Sequence, residues 1–253
     1  MFAPAHLRAP RRDRAILGGL LGLLAVAAWL ALWWWDSTPY GHYLHHDGGG
    51  GPLVVEAGLF AAGWLLMIIA MMLPSSVPLV MTFGALVGRR RRPGQLVLLL
   101  LVGYLVVWGS FGAVAWLADR GIHAAVAAWP WLAEHPQVII ATTLAVAGLW
   151  QFSSLRDRCL DACRSPLGFV LNRWRGTSER REALAMGIAH GAFCVGCCWS
   201  LMLVMFGVGL GSLSAMLALG AITAAEKDLP QGRRISHPLG IALILAAVYA
   251  IAS

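Results

Sequence analysis

Charge is scarce in this chain. Only 12% of its 253 residues are Asp, Glu, Lys or Arg, against about 25% in an ordinary soluble domain. Hydrophobic residues make up 59% and the mean hydropathy is +0.71, which together exclude a water-soluble fold. Several signatures are missing as well. There is no GxxxxGK[ST] phosphate loop, no GxGxxG fingerprint and no HExxH, so nothing marks an ATP-driven pump, a dinucleotide enzyme or a zincin. No internal repeat of solenoid period is present. Cysteine is sparse at five residues, yet three of the five crowd into positions 194–198.

What the chain does contain is long apolar runs. A transmembrane helix needs about 20 mostly apolar residues, because lipid offers the backbone no hydrogen-bond partner and a helix satisfies its own. Seven such segments can be read, at 15–35, 53–88, 95–118, 137–155, 183–207, 212–225 and 238–252. The sixth is short for a crossing, so six spans is the alternative. The expectation is an all-α, polytopic transmembrane bundle: a basic tail at 1–14, then one helical domain at 15–253. The second segment carries Pro74 and Pro78 and is too long for one straight span, so a proline-kinked crossing in two tilted pieces is expected. The first segment ends in Trp33, Trp34 and Trp35, an interfacial belt. Its apolar stretch exceeds the signal-peptide core of about 7–15 residues, which favours a retained helix. Residues 121–135, with Trp129 and Trp131, are expected to lie along the outer surface.

The formal charge of +7 and pI near 9.7 would suggest nucleic acid in a soluble protein. Here the placement of the charge answers the question. All of the 19 Lys and Arg residues except Arg120 fall on the N-terminal tail and on alternate loops. The positive-inside rule then puts the N-terminus in the cytoplasm and the C-terminus outside, and membrane lipid rather than nucleic acid is the implied surroundings. The glycine-rich loop at 48–51, with His42, His45 and His46 nearby, falls on the outer side. It reads as a solvated loop, with metal capture as the alternative.

The chemistry concentrates in the fifth segment, at His190, Cys194, Cys197, Cys198, Met202 and Met205. At about 100° per residue these six side chains fall within roughly 140° of one helix face. The second segment offers a matching stripe: Met67, Met71 and Met72, followed by Pro74, Ser75, Ser76, Pro78 and Met81. Prolines inside a membrane helix free backbone groups that are tolerated where they line a polar cavity or ion site. Thiolate and thioether donors favour Cu(I), whereas zinc is usually held by a closed Cys/His set without methionine. Soft ligands can also replace an ion's water shell where a bare charge would be costly. A further pair, Cys159 and Cys163, is spaced i,i+4 among arginines after the fourth segment. It is expected to form a separate two-thiol clip at the cytoplasmic mouth. Glu226, Lys227 and Asp228 read as an interfacial charge cluster.

Five groups of residues in this order carry a resemblance: Ala70-Met71-Met72-Leu73-Pro74-Ser75; Gly103-Tyr104 with Trp108; Cys159-Leu160 with Cys163-Arg164-Ser165-Pro166; Cys194-Val195-Gly196-Cys197-Cys198-Trp199 with Leu201-Met202; and Glu226-Lys227 with Pro230. Together they resemble a bacterial family of metal-binding integral membrane proteins, one branch of which is regarded as membrane copper chaperones serving tyrosinase. The resemblance spans roughly residues 60–235. It implies metal ligands at Met71, Met72, Cys159, Cys163, Cys194, Cys197, Cys198 and Met202. Trp150-Gln151 stands where the family usually has Tyr-Gln, which removes no candidate ligand. The expectation is a non-enzymatic copper(I) protein of the bacterial cytoplasmic membrane that serves an extracytoplasmic copper enzyme or carrier. A membrane thiol-disulfide oxidoreductase and a structural subunit of a membrane complex are the rivals. Against the first, adjacent thiols such as Cys197 and Cys198 form only a strained disulfide.

Overall fold

The computed structural model describes residues 11–38, 41, 52–208 and 212–252. Its secondary structure over these residues is helical: α1 Arg11–Asp36, α2 Leu53–Val87, α3 Pro93–Ala128, α4 Pro130–Glu134, α5 Gln137–Trp150, α6 Ser154–Arg164, α7 Pro166–Arg173, α8 Glu179–Val208, α9 Leu213–Asp228 and α10 Arg233–Ala252. Five of these, α1, α2, α3, α8 and α10, are long and apolar enough to cross a membrane, and six crossings result if α5 and α6 form one bent span. The histidines at 42, 45 and 46 lie outside the described residues, as does the glycine run at 48–51.

Three expectations change in detail. First, α9, the segment expected at 212–225, has 16 residues and a length of about 24 Å, short of a bilayer's hydrocarbon core at about 30 Å. Second, α3 runs without interruption through the polar stretch at 119–123 and on to Ala128, because no proline falls before Pro130 and the stretch is rich in alanine. The chain turns only at Trp129 and the five-residue α4. Third, the fourth segment does not run straight to its cysteines. A 66° bend separates α5 from α6. Ser153 caps the new helix, accepting from the Leu155 amide at 3.3 Å.

The second segment folds as one helix that carries both prolines inside it. Pro74 has no N–H to give the carbonyl four residues earlier, that of Ala70. The indole of Trp29 on α1 donates to this oxygen at 3.2 Å, so α1 supplies the bond that the proline removes. Near the next turn, Thr82 returns its hydroxyl to the Pro78 carbonyl at 2.7 Å.

Close packing of α3 on α8 positions the interior. Gly103 sits against the Leu184 carbonyl and Gly187 against that of Leu100, so a side chain at either glycine would collide with the other helix's backbone. Small residues at such a crossing let the backbones meet, the usual device in membrane bundles. The consequence is local: Tyr104, next to Gly103, is driven into the centre and is 1% exposed.

Candidate metal centre

The α8 stripe faces inward as its periodicity predicts. Cys194, Cys197, Cys198 and Met202 are all buried, in one cluster with Met67, Met71, Met72, Tyr104, Trp108, Met205 and Met216. The two methionine positions adjacent in sequence part company. Met72 turns to α8, its Sδ 3.8 Å from the Sγ of Cys198. Met71 packs on Gly220 of α9, where an added Cβ would lie 3.5 Å from its Cε. The Cys197 and Cys198 thiols each return a hydrogen bond to the Cys194 carbonyl, at 3.1 and 2.9 Å.

His190 takes a different position. Its Nε2 lies 3.2 Å from the Ser76 hydroxyl, and its ring stacks on that of Tyr104 with centroids 5.5 Å apart. The Tyr104 hydroxyl in turn meets the Cys194 Sγ at 3.3 Å. His190 therefore reaches the thiols through tyrosine.

The cysteines of α6 do not form a separate clip at the mouth. The bend after Trp150 lays α6 against α8, and the thiol of Cys163 faces those of Cys194 and Cys197. Cys159 packs on Gly196 so closely that a Cβ there would stand 2.6 Å from its Sγ. Glycine between Cys194 and Cys197 is what lets α6 come this near. Trp150 holds the corner by donating to the Gly196 carbonyl at 3.1 Å. Gln151, next in the chain, is 1% exposed, and its side-chain amide has no hydrogen-bond partner among the described residues.

A charged α6 can lie against the bundle because its inner charge is paired. Arg156 is wholly buried, giving one Nη to Glu226 Oε1 at 2.6 Å and the other to the Ser236 hydroxyl at 2.8 Å. Ser236 completes the triangle, donating to the same carboxylate oxygen at 2.9 Å. Arg164 donates to the carbonyls of Glu226, Leu229 and Pro230, which closes the C-terminal end of α9.

The residue missed by sequence reasoning is Lys227. Instead of belonging to an interfacial cluster it is buried, 6% exposed, with its Nζ 3.0 Å from Cys194 Sγ, 3.4 Å from Ser75 Oγ and 3.8 Å from Met72 Sδ. Its neighbour Glu226 points the other way, to Arg156. Tyr104 was likewise visible only as part of a motif.

All five cysteines are unbonded to one another in disulfides, and the buried donors at the centre are thiols and thioethers. That donor set fits a soft ion. Among the described residues no ready-made cluster of three His, Cys, Asp or Glu ligands is present, and the thiols that face one another, with methionine sulfur beside them, fall into small soft groups. Cys194, Cys198 and Met72 form one such group, and Cys163 with Cys197 another.

Comparison with known proteins now defines the class. A buried Cys/Met centre inside an apolar helical bundle is the arrangement of a membrane metal-binding protein. The chain belongs to the copper chaperone family PpoB2, whose match covers residues 61–250, so that α2 to α10 fall within it almost entirely. No curated protein and no solved structure matches the chain.

Proposed function

We propose that the protein holds Cu(I) among Cys194, Cys198 and Met72 and hands it to an extracytoplasmic copper enzyme or carrier. The observation that carries this reading is the 3.8 Å approach of Met72 Sδ to Cys198 Sγ, beside Cys194 and deep in the bundle. Thiols on α8 and a thioether on α2 make a mixed soft set that suits Cu(I) better than zinc. Cys159, Cys163 and Cys197 act as the loading side, so an ion passes from thiols on α6 to thiols on α8 without meeting water. Met202, Met67 and Met71 line the same cluster and keep it soft. His190 serves as a support for Tyr104. No step here makes or breaks a covalent bond of a substrate, in keeping with a carrier.

The bundle sits in the cytoplasmic membrane, with its arginine-rich loops and N-terminus inside and its C-terminus outside, an arrangement in which the short α9 crosses as well as the five long helices and the bent α5–α6 pair. This orientation puts α6 and its two cysteines toward the cytoplasm. Metal analysis of the purified protein tests the reading, wild type beside the Cys194→Ser/Cys198→Ser variant. Copper in the first and its loss from the second is the expected result. Metal-free wild type, together with cysteine variants that change disulfide status elsewhere and do not respond to added copper, would establish a thiol oxidoreductase instead.

A further inference from the structure

Methionine fills irregular gaps in many cores, but here its distribution is uneven. Six of the nine methionines, Met67, Met71, Met72, Met202, Met205 and Met216, lie in the cluster that holds the cysteines, whereas the second apolar cluster, around Leu79 and Leu100, has Met186 alone among its buried residues. Register sorts the six along the bundle. The contacts His190 to Ser76 and Cys198 to Met72 make α2 and α8 antiparallel, so Met202, one turn past Cys198, comes close to level with residue 68 of α2. Gly220 lies against Met71 and Lys227 reaches Met72 and Ser75, so α2 and α9 run the same way. Met216 precedes Gly220 by four residues, as Met67 precedes Met71, and residues four apart share a helix face. Register therefore sets Met67 and Met216 toward each other across the α2–α9 seam, at about the level of Met202. All three are at most 1% exposed. Their level is about 6 Å beyond Cys198, on the side away from the arginines that follow α2 and α9 and open α8.

We infer that Met67, Met202 and Met216 form a second binding site on the outward side of the thiols, where thioethers alone hold a monovalent soft ion. The inference rests on the proposed copper site and adds the step that follows it. Three helices, α2, α8 and α9, each bring one sulfur to this level, which suffices for an ion of low coordination number. Thioether sulfur is a soft donor that suits Cu(I), and by the same softness Ag(I). It carries no proton to release, so an ion can enter or leave this site without the proton exchange that a thiol requires. A neutral donor also holds the ion less tightly than a thiolate does. Onward movement needs such a site, favourable enough to enter and weak enough to leave. Met205, three residues past Met202 on the same face of α8, belongs to the same buried cluster and continues the thioether path outward.

The test is a silver titration of the full-length protein in detergent, with bound metal counted per chain. Wild type is expected to take up a tight ion at the thiols and one weaker ion, which is lost on purification and regained on titration. Met67→Leu/Met216→Leu, which nearly conserves volume, should lose the weaker ion and keep the tight one. Cys194→Ser/Cys198→Ser should do the reverse. Uptake of Cd(II) should be the same in wild type and in the methionine variant, since no thiol has changed. A methionine variant that binds silver as wild type does overturns the inference and leaves the copper site standing. So does a cysteine variant that binds no silver. Failure of wild type to bind Ag(I) or Cu(I) at all is a different result, and it refutes the copper site itself. Selenomethionine labelling gives a second measurement if the leucine variant does not fold. With Cu(I) added, X-ray absorption of the labelled Cys194→Ser/Cys198→Ser/Met72→Leu protein should show selenium neighbours around copper. Oxygen or nitrogen neighbours alone, or no bound copper, would overturn the inference.

Discussion

Arg156 and Glu226, seventy residues apart, meet at 2.6 Å in a position with almost no access to solvent. Their contact fixes α6 to the end of α9, and so fixes two cysteines and a lysine relative to each other. Removing one partner of a buried pair leaves the other's charge stranded, at a cost of about 3–5 kcal/mol. Arg156→Met and Glu226→Gln should each lower the thermal midpoint of the detergent-solubilised protein markedly. The joint Arg156→Met/Glu226→Met variant should recover much of the loss, since neither charge then remains buried. Unchanged midpoints in the single variants would show that the pair does not anchor α6.

Gly196→Val should push α6 away from α8, because the new Cβ would lie 2.6 Å from Cys159 Sγ. Thiol labelling reads the outcome: Cys159 and Cys163 should react faster with a water-soluble maleimide, and bound copper should fall. Labelling rates equal to those of wild type would refute the close contact.

Trp29→Phe removes the donor to the Ala70 carbonyl, with an expected cost of about 1 kcal/mol. The loss should depend on Pro74. In a Pro74→Ala background the helix regains its own N–H for that carbonyl, so Trp29→Phe should cost much less, and a double-mutant cycle measures the difference. Additive effects would mean that the indole bond is not compensating for the proline.

Reporter fusions check the orientation. A fusion after Arg92 should read cytoplasmic and one after Ser253 extracytoplasmic. If both read cytoplasmic, the number of crossings is even, and α9 does not cross.

The helical bundle was legible from the length of its apolar runs, and the α8 stripe because a 3.6-residue period gathers its sulfur residues on one face. Cys194 and Cys198 came from that period, and Met72 from the run of methionines in the second segment. Lys227 did not, since a lysine at a helix end beside an arginine-rich loop looks the same in sequence whether it faces lipid headgroups or thiols. Only the tertiary placement of α9 separates the two. The position of α6 was hidden for a related reason. Its arginines read as a cytoplasmic edge, and one of them, Arg156, is buried by a carboxylate seventy residues away. Its serine cap and the proline at the start of α7 are local signals of a separate short helix, but they carry no information on the direction in which that helix turns.

Glu226 and Lys227 are consecutive on α9, and their side chains leave the helix about 100° apart. One grips α6 through Arg156 and the other reaches the thiols. Turning α9 about its axis would release both together, so the helix has no rotation that frees the lysine and spares the anchor. The remaining contacts of the lysine come from α8 through Cys194 and from α2 through Met72 and Ser75. The prolines within that helix, at 74 and 78, put its most deformable backbone beside Met72. On this geometry α6, α9 and α10 are tied together as one side of the centre through Arg156, Glu226 and Ser236, and α2 brings Met72 and Ser75 to it from the other.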